Sequence, residues 1–353
     1  MKYKSIIFLV LIVLVAGFIF SMRKPTLSSY KVGALYALSG PAAIFGEVSA
    51  QGVRDAVKYF EEKNNVKVDL IIEDTANDPK QGVSAVTKLV NVDNVKFIVV
   101  GTSGITNAVS PITEKNKSIL ITDAAGYGLT KDKTFLFQNL LPSLNDVSKQ
   151  VNANSSWKKV AIVYINDEFG NIWNTEWKKG IENDRTISSF PFEKTATDYK
   201  TDALKIKTFK PDVVLVIGYG PALNQALADL SLQGVDVPFV TYLACTLPGV
   251  TGDKRYDLNG NFSYEYPEYQ NVEMKNWIAK NDGTKDTFYG LAFENTLVAL
   301  NAEKASGNDP EKALSYLKSA KVAGVYGDIK FNQNNVMERD LTLTKIINKT
   351  CVR

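Results

Sequence analysis

The sequence predicts an α/β protein built from two doubly wound lobes. Three observations carry this. Short β-rich runs alternate with amphipathic helical stretches along most of the chain, which is the signal for parallel sheets. The series also starts twice: Lys159-Val160-Ala161-Ile162-Val163-Tyr164 echoes Lys31-Val32-Gly33-Ala34-Leu35-Tyr36, and Phe169-Gly170 echoes Phe45-Gly46 in the loop that follows. Finally, hydrophobic residues are 45% and charged residues 22% of 353, enough for a large core in two domains of ordinary size.

In the first half, the strand 31–36 passes through Ser39-Gly40-Pro41 into a helix whose Val48, Val53, Val57 and Phe60 share a face. A strand is expected over 66–72. Asp78-Pro79 then opens a helix, with Asp as N-cap and Pro at the first helical position, where its missing N–H costs nothing. Strands follow over 96–100 and 119–122. In the second half, strands over 159–164, 186–190, 213–217 and 238–242 alternate with helices over 198–209 and 221–233. A long helix over 289–306 carries Leu291, Phe293, Leu297 and Leu300. No low-complexity linker separates the halves, so several short crossovers are expected instead of one tether.

The N-terminus reads differently. Lys2 and Lys4 precede an apolar run from Ile6 to Phe20, the layout of an export signal. The run is short for a bilayer span, its cleavage-site residues are poor, and Arg23-Lys24 would suit an uncleaved anchor. Residues 1–24 are therefore a signal peptide or a membrane anchor, and either exports the protein. No nearby cysteine offers lipid attachment. Without the four basic residues of this segment, 37 bases face 38 acids, a near-neutral body that gives no footprint for nucleic acid.

Several enzyme classes are excluded at this level. The chain has no histidine, which removes Ser-His-Asp and Cys-His nucleophiles and His-ligated metals. The loop Ser39–Glu47 lacks the G-x-G-x-x-G of a dinucleotide site, and no Walker A motif is present. No catalytic residue, metal or cofactor is expected. Cys245 and Cys351 could pair in an oxidising compartment, but are expected chiefly as small buried hydrophobes.

Open parallel sheets bind ligands outside the carboxyl ends of their strands, and two facing lobes make a cleft that can close by hinge motion. After strand 96–100, Gly101-Thr102-Ser103-Gly104 opens a helix. Its free N–H groups, its dipole and the Ser103 hydroxyl would suit a ligand carboxylate, although Ser103 could equally be a plain N-cap. After strand 119–122 comes Asp123-Ala124-Ala125-Gly126-Tyr127-Gly128, whose small residues would let backbone approach a ligand or simply make a tight loop. Phe45, Phe169, Tyr219 and Tyr242 each follow a strand, and their recurrence in both halves points to a lined cleft.

The stretches Ser39–Glu47, Glu73–Pro79, Gly101–Pro111, Asp167–Gly170 and Ile217–Pro221 resemble, in order and spacing, five signatures of the leucine/isoleucine/valine-binding family. These are extracytoplasmic solute-binding components of ABC importers. The resemblance runs from about Lys31 to near the C-terminus. It implies a type I periplasmic-binding fold of two Rossmann-like lobes joined by three crossovers. The N-terminal lobe would take 30–143 plus 267–326, and the C-terminal lobe 144–266 plus 327–353. It implies a monomer, periplasmic or at the cell surface, that binds a small amino acid or related organic acid and delivers it to ABC permease subunits. Ser103 would hold the ligand carboxylate and the Ala124 backbone its ammonium. Phe45 and Phe169 would flank the side chain, and Tyr219 would reach in from the second lobe; Tyr242 completes the aromatic lining.

Two departures bear on the ligand. Gly126 stands where the family commonly has a hydroxyl residue, and Leu243 where it commonly has the acid that pairs with the ligand ammonium. An unpaired buried ammonium costs several kcal/mol. The cleft is therefore expected to suit an aliphatic or aromatic carboxylic acid at least as well as a zwitterion, with Asp123, Asp167 and Glu168 as candidate substitute acids. A sensory receptor ectodomain of the same fold is the alternative function. It should continue into a second membrane span, and no second apolar run occurs up to Arg353.

Overall fold

The computed structural model describes residues 29–142, 145–281, 283 and 286–353. The export or anchor segment of residues 1–24 lies outside these. Among the described residues, no helix is long and apolar enough to cross a membrane.

The first sheet is built from β1 (Ser29–Tyr36), β2 (Lys67–Asp74), β3 (Phe97–Val100), β4 (Ile119–Thr122), β5 (Leu136–Pro142) and β13 (Val336–Arg339). Its order is β13-β5-β4-β3-β1-β2, with parallel pairing throughout. Helices α1 (Ala43–Asn64), α2 (Pro79–Asn91) and α3 (Ser103–Lys115) link the first four strands. After β5 the chain crosses to the second sheet through α4 (Asn145–Ala153). That sheet contains β6 (Lys159–Ile165), β7 (Thr186–Phe192), β8 (Val213–Ile217), β9 (Phe239–Tyr242) and β10 (Phe262–Glu265), with α5 (Glu168–Gly180), α6 (Lys200–Phe209) and α7 (Gly220–Leu232) between strands. The chain then returns to the first lobe through α8 (Val272–Lys280), α9 (Thr287–Ser306), α10 (Pro310–Ser319) and a hairpin of β11 (Val322–Gly324) and β12 (Gly327–Ile329). The last strands, β14 (Thr342–Ile347) and β15 (Thr350–Val352), finish the second sheet in the order β15-β14-β10-β9-β8-β6-β7. The chain thus crosses between sheets three times, after β5, β10 and β13.

One boundary differs from expectation. Within the segment 327–353 assigned to the C-terminal lobe, β13 pairs with β5 of the first sheet. The final crossing comes only between Arg339 and Thr342, because β5 has a free parallel edge that β13 covers.

Local chemistry accounts for most elements. Every residue of β3 and β8 is buried, as expected of central parallel strands covered on both faces. Asp78 caps α2, accepting from the Lys80 and Gln81 backbone N–H at 2.8 and 3.0 Å, and Pro79 starts the helix. Helix α9 is buried almost all round, between the first sheet and α1. It carries Glu294, which accepts from Asn139 of β5 at 3.2 Å and from the Tyr326 backbone N–H at 3.3 Å. Burial pushes that carboxyl up to about 7.

The repeated Phe-Gly pair has a shared steric cause. A Cβ at Gly46 would fall 1.8 Å from the Ala37 carbonyl oxygen, and one at Gly170 would fall 1.9 Å from that of Ile165. In both lobes the helix following the first strand rests directly on the end of that strand. Only glycine permits this approach, and the preceding Phe45 or Phe169 is thereby fixed at the strand's carboxyl end.

Cys245 and Cys351 form a disulfide, with Cα atoms 6.0 Å apart, and both are only partly buried. This corrects the expectation of two buried thiols. The antiparallel β14–β15 hairpin brings the last strand back beside the loop after β9, a proximity that their separation of 106 residues conceals.

Candidate functional site

Each sheet has a switch point where strand order reverses, between β1 and β3 in the first and between β6 and β8 in the second. Ligands of open α/β sheets bind at such points. The loops leaving these four strands face one another and enclose a cavity of about 520 Å³. Phe45, Ser103, Ala124, Phe169, Tyr219 and Tyr242 all line it.

The four strand-end aromatics form a continuous wall across both lobes. Ring centroids of Phe45 and Tyr219 lie 6.2 Å apart, those of Phe169 and Tyr219 6.2 Å, and those of Phe169 and Tyr242 6.1 Å. Phe288, at the start of α9, extends the wall at 5.1 Å from Phe45. Such rings favour edge or tilted contacts and present broad apolar surface to a bound group.

Ser103 is the first residue of α3, and Thr102 holds the cap position. The plain-cap reading of Ser103 is therefore set aside. Its hydroxyl is buried without a hydrogen-bond partner at the wall of the cavity. A buried polar group normally finds a partner, so this one marks where a ligand atom belongs. Thr102 adopts φ 63°, a sparsely populated region for a β-branched residue, and its hydroxyl donates to Asn77 Oδ1 at 3.1 Å.

Gly126 does not line the cavity and stands behind Ser103. A Cβ there would lie 2.7 Å from Ser103 Oγ, so a hydroxyl residue at this position would displace the serine. Ala124 lines the cavity, but both its backbone groups are engaged. Its N–H donates to Thr122 Oγ1 at 3.0 Å, and its carbonyl accepts from Gln138 Nε2 at 2.5 Å. Gln138 also donates to the Gly126 carbonyl at 2.8 Å and so fixes the whole loop.

Tyr219 sits at the seam. Its hydroxyl donates to Asp167, which caps α5 by accepting from the Gly170 N–H at 3.0 Å, and it accepts from Asn77 of the first lobe at 3.4 Å. Burial, then the neighbouring Asp167 charge, raises the Tyr219 hydroxyl above the usual phenol range and keeps it protonated. A second contact crosses the lobes, Asn107 to Glu168 at 3.5 Å. The lobes therefore stand closed over the cavity.

Sequence reasoning did not single out Asn77, Tyr36, Tyr266 or Phe288, all of which line the cavity. Asn77 had the clearest signal, an Asn before Asp-Pro at a loop position of φ 54°. Leu243 is buried in the wall of the cavity. Asp123, beyond β4, lines the cavity too, and burial pushes its carboxyl up to about 7.

A sequence model of the family described as periplasmic binding protein matches residues 29–350. The Leu/Ile/Val/Thr-binding protein of Salmonella typhimurium is 25% identical over 322 residues, covering 86% of this chain and 87% of that one. A Pseudomonas aeruginosa protein that binds leucine, isoleucine, valine, threonine and alanine is 26% identical over 341 residues, covering 90% and 89%. Among solved structures, the Streptococcus pneumoniae branched-chain amino acid transporter substrate binding protein, in complex with isoleucine, superposes with a TM-score of 0.78 at 20% identity, covering 92% and 98%. A Rhodopseudomonas palustris ABC-transporter solute binding protein in complex with p-hydroxybenzoic acid also reaches 0.78, at 19% identity, covering 92% and 95%. With its sheet order, three crossovers and interlobe cavity, the chain belongs to the periplasmic binding protein family, within the leucine/isoleucine/valine-binding group.

Proposed function

We propose that this protein is the exported solute-binding component of an ABC importer, and that it closes on a small carboxylate-bearing solute without transforming it. The observation that carries the reading is the partnerless buried hydroxyl of Ser103 at the N-terminus of α3, inside a cavity shared by both lobes. The carboxylate would take that hydroxyl and the free N–H groups of the first helical turn. The solute's apolar part would lie among Phe45, Phe169, Tyr219 and Tyr242. Lobes of 30–143 plus 267–339 and of 144–266 plus β14 and β15 would move as bodies about the three crossovers. The working form is a monomer that meets ABC permease subunits and touches the membrane only through residues 1–24. The absence of histidine and of a cofactor fingerprint supports binding without catalysis.

Hinge closure is testable by small-angle scattering. The radius of gyration should fall when the solute saturates the protein, and an unchanged radius at saturation would argue against closure. The hydrogen bond from Asn77 to Tyr219 joins the two lobes. Tyr219→Phe should therefore weaken binding by about 2- to 10-fold, the worth of one neutral hydrogen bond. Calorimetry on the folded variant reads that loss, and wild-type affinity would remove Tyr219 from the closing device.

A further inference from the structure

Resting on the carboxylate reading above, we propose that Asp123 receives a positively charged nitrogen of the solute, so that the first lobe alone holds both charges of a zwitterion. The resemblance implies an acid at the position of Leu243, and Leu243, which lines the cavity, carries no charge. The Ala124 backbone is a poor substitute, because its N–H and one acceptor position are already bound to Thr122 and Gln138. Of the acids that line the cavity, Asp167 serves as helix cap and as acceptor for Tyr219, and Glu168 accepts from Asn107. Asp123 has no such commitment to a cation or a helix end.

Its surroundings fit a cation. Asp123 follows β4, the strand next to β3, so it stands one loop away from Ser103. The side chains of Tyr36, at the end of β1, and Tyr266, just beyond β10, lie close enough for its charge to act on both hydroxyls. With Tyr242 they surround this end of the cavity with aromatic rings, whose faces favour cations. Lys194, the one basic residue among those that line the cavity, is exposed on the second lobe and contributes nothing to the Asp123 environment. A carboxylate in a closed, largely apolar cavity without a protein counter-charge is costly, and a ligand ammonium supplies that charge.

The linkage has a definite sign. Burial holds the empty-site Asp123 carboxyl up at about 7, and the own-backbone N–H and the Tyr36 hydroxyl only partly oppose this. Tyr36 and Tyr266, the titratable groups facing it, stay protonated well above that range. An ammonium binds the ionised form, so below about pH 7 binding must expel a proton, and affinity should fall towards tenfold per pH unit. Above that pH it should be flat.

The test is a thermal-shift panel of the standard amino acids, each beside its 2-hydroxy acid analogue, followed by calorimetry on the strongest pair. An amino acid is expected to bind at least about 10-fold tighter than its analogue. Its affinity should drop by about 30-fold between pH 8 and pH 5.5. Asp123→Asn should erase both the preference and the pH dependence. Should that variant fail to fold, the wild-type pH profile still decides. Equal or tighter binding of the hydroxy acid, or a flat wild-type profile, overturns the role of Asp123 and leaves the carboxylate reading standing. Binding by no carboxylate in the panel overturns both.

Discussion

A Cys351→Ser variant is expected to lose about 2–5 kcal/mol of unfolding free energy, the usual cost of removing a native disulfide. The bond joins residues 106 apart, and the loop-entropy model gives roughly 4.7 kcal/mol for a loop of about that length. Its position argues for the upper part of the range. Strand β15 has only three residues and forms the outer edge of the second sheet, with β14 as its one partner strand. The bond anchors that edge to Cys245, in the loop between Tyr242 and Leu247 that lines the cavity. Denaturant unfolding of the variant beside wild type, both in the absence of reductant, measures the difference. A loss below about 0.5 kcal/mol, the scale of an ordinary surface substitution, would show that strand pairing alone secures the C-terminus.

Ser103→Ala is expected to weaken binding by about 10- to 150-fold, because a hydrogen bond to a charged carboxylate contributes about 1.5–3 kcal/mol. The same substitution should leave the stability of the solute-free protein unchanged or slightly raised, since it removes a buried hydroxyl that has no partner there. A capping serine behaves in the opposite way and costs about 1 kcal/mol of folding stability when replaced by alanine. Thermal unfolding without solute and calorimetry with it, on the same sample, separate the two roles. Reduced stability with unaltered affinity would return Ser103 to a structural part.

The elements legible in the sequence are those where one force dominates. Strands β3 and β8 are wholly buried apolar runs, β4 departs from this only at Thr122, and all three lie within a residue of their expected bounds. The start of α2 follows from Asp78 and Pro79 alone. By contrast, β5 holds buried Gln138 and Asn139, which serve the loop after β4 and the buried acid on α9, and these break its apolar pattern. Strands β10 to β15 have three to six residues each, and β14 and β15 mix exposed and covered positions at the margin of the second sheet. The pairings of β13 with β5 and of β14 with β10 join residues distant in sequence, which no local pattern reveals. The site divides similarly. Strand-end position marked Phe45, Phe169, Tyr219 and Tyr242, and all four line the cavity. Whether Ser103 caps or waits for a ligand depended on the Thr102 backbone, and the surroundings of Asp123 depended on Tyr36 of β1 and Tyr266 just beyond β10, which come from different lobes.

The most direct test of the account is calorimetric titration with the solute that stabilises the protein most in a thermal-shift panel, set against the same molecule with its carboxylate converted to a carboxamide. The pair differs at the one group that Ser103 and the first turn of α3 are arranged to hold. The account predicts one solute per protein and an affinity for the carboxamide at least about 10-fold weaker. Equal binding of the carboxamide would contradict it, because the cavity would then be recognising the apolar body of the solute without its charge.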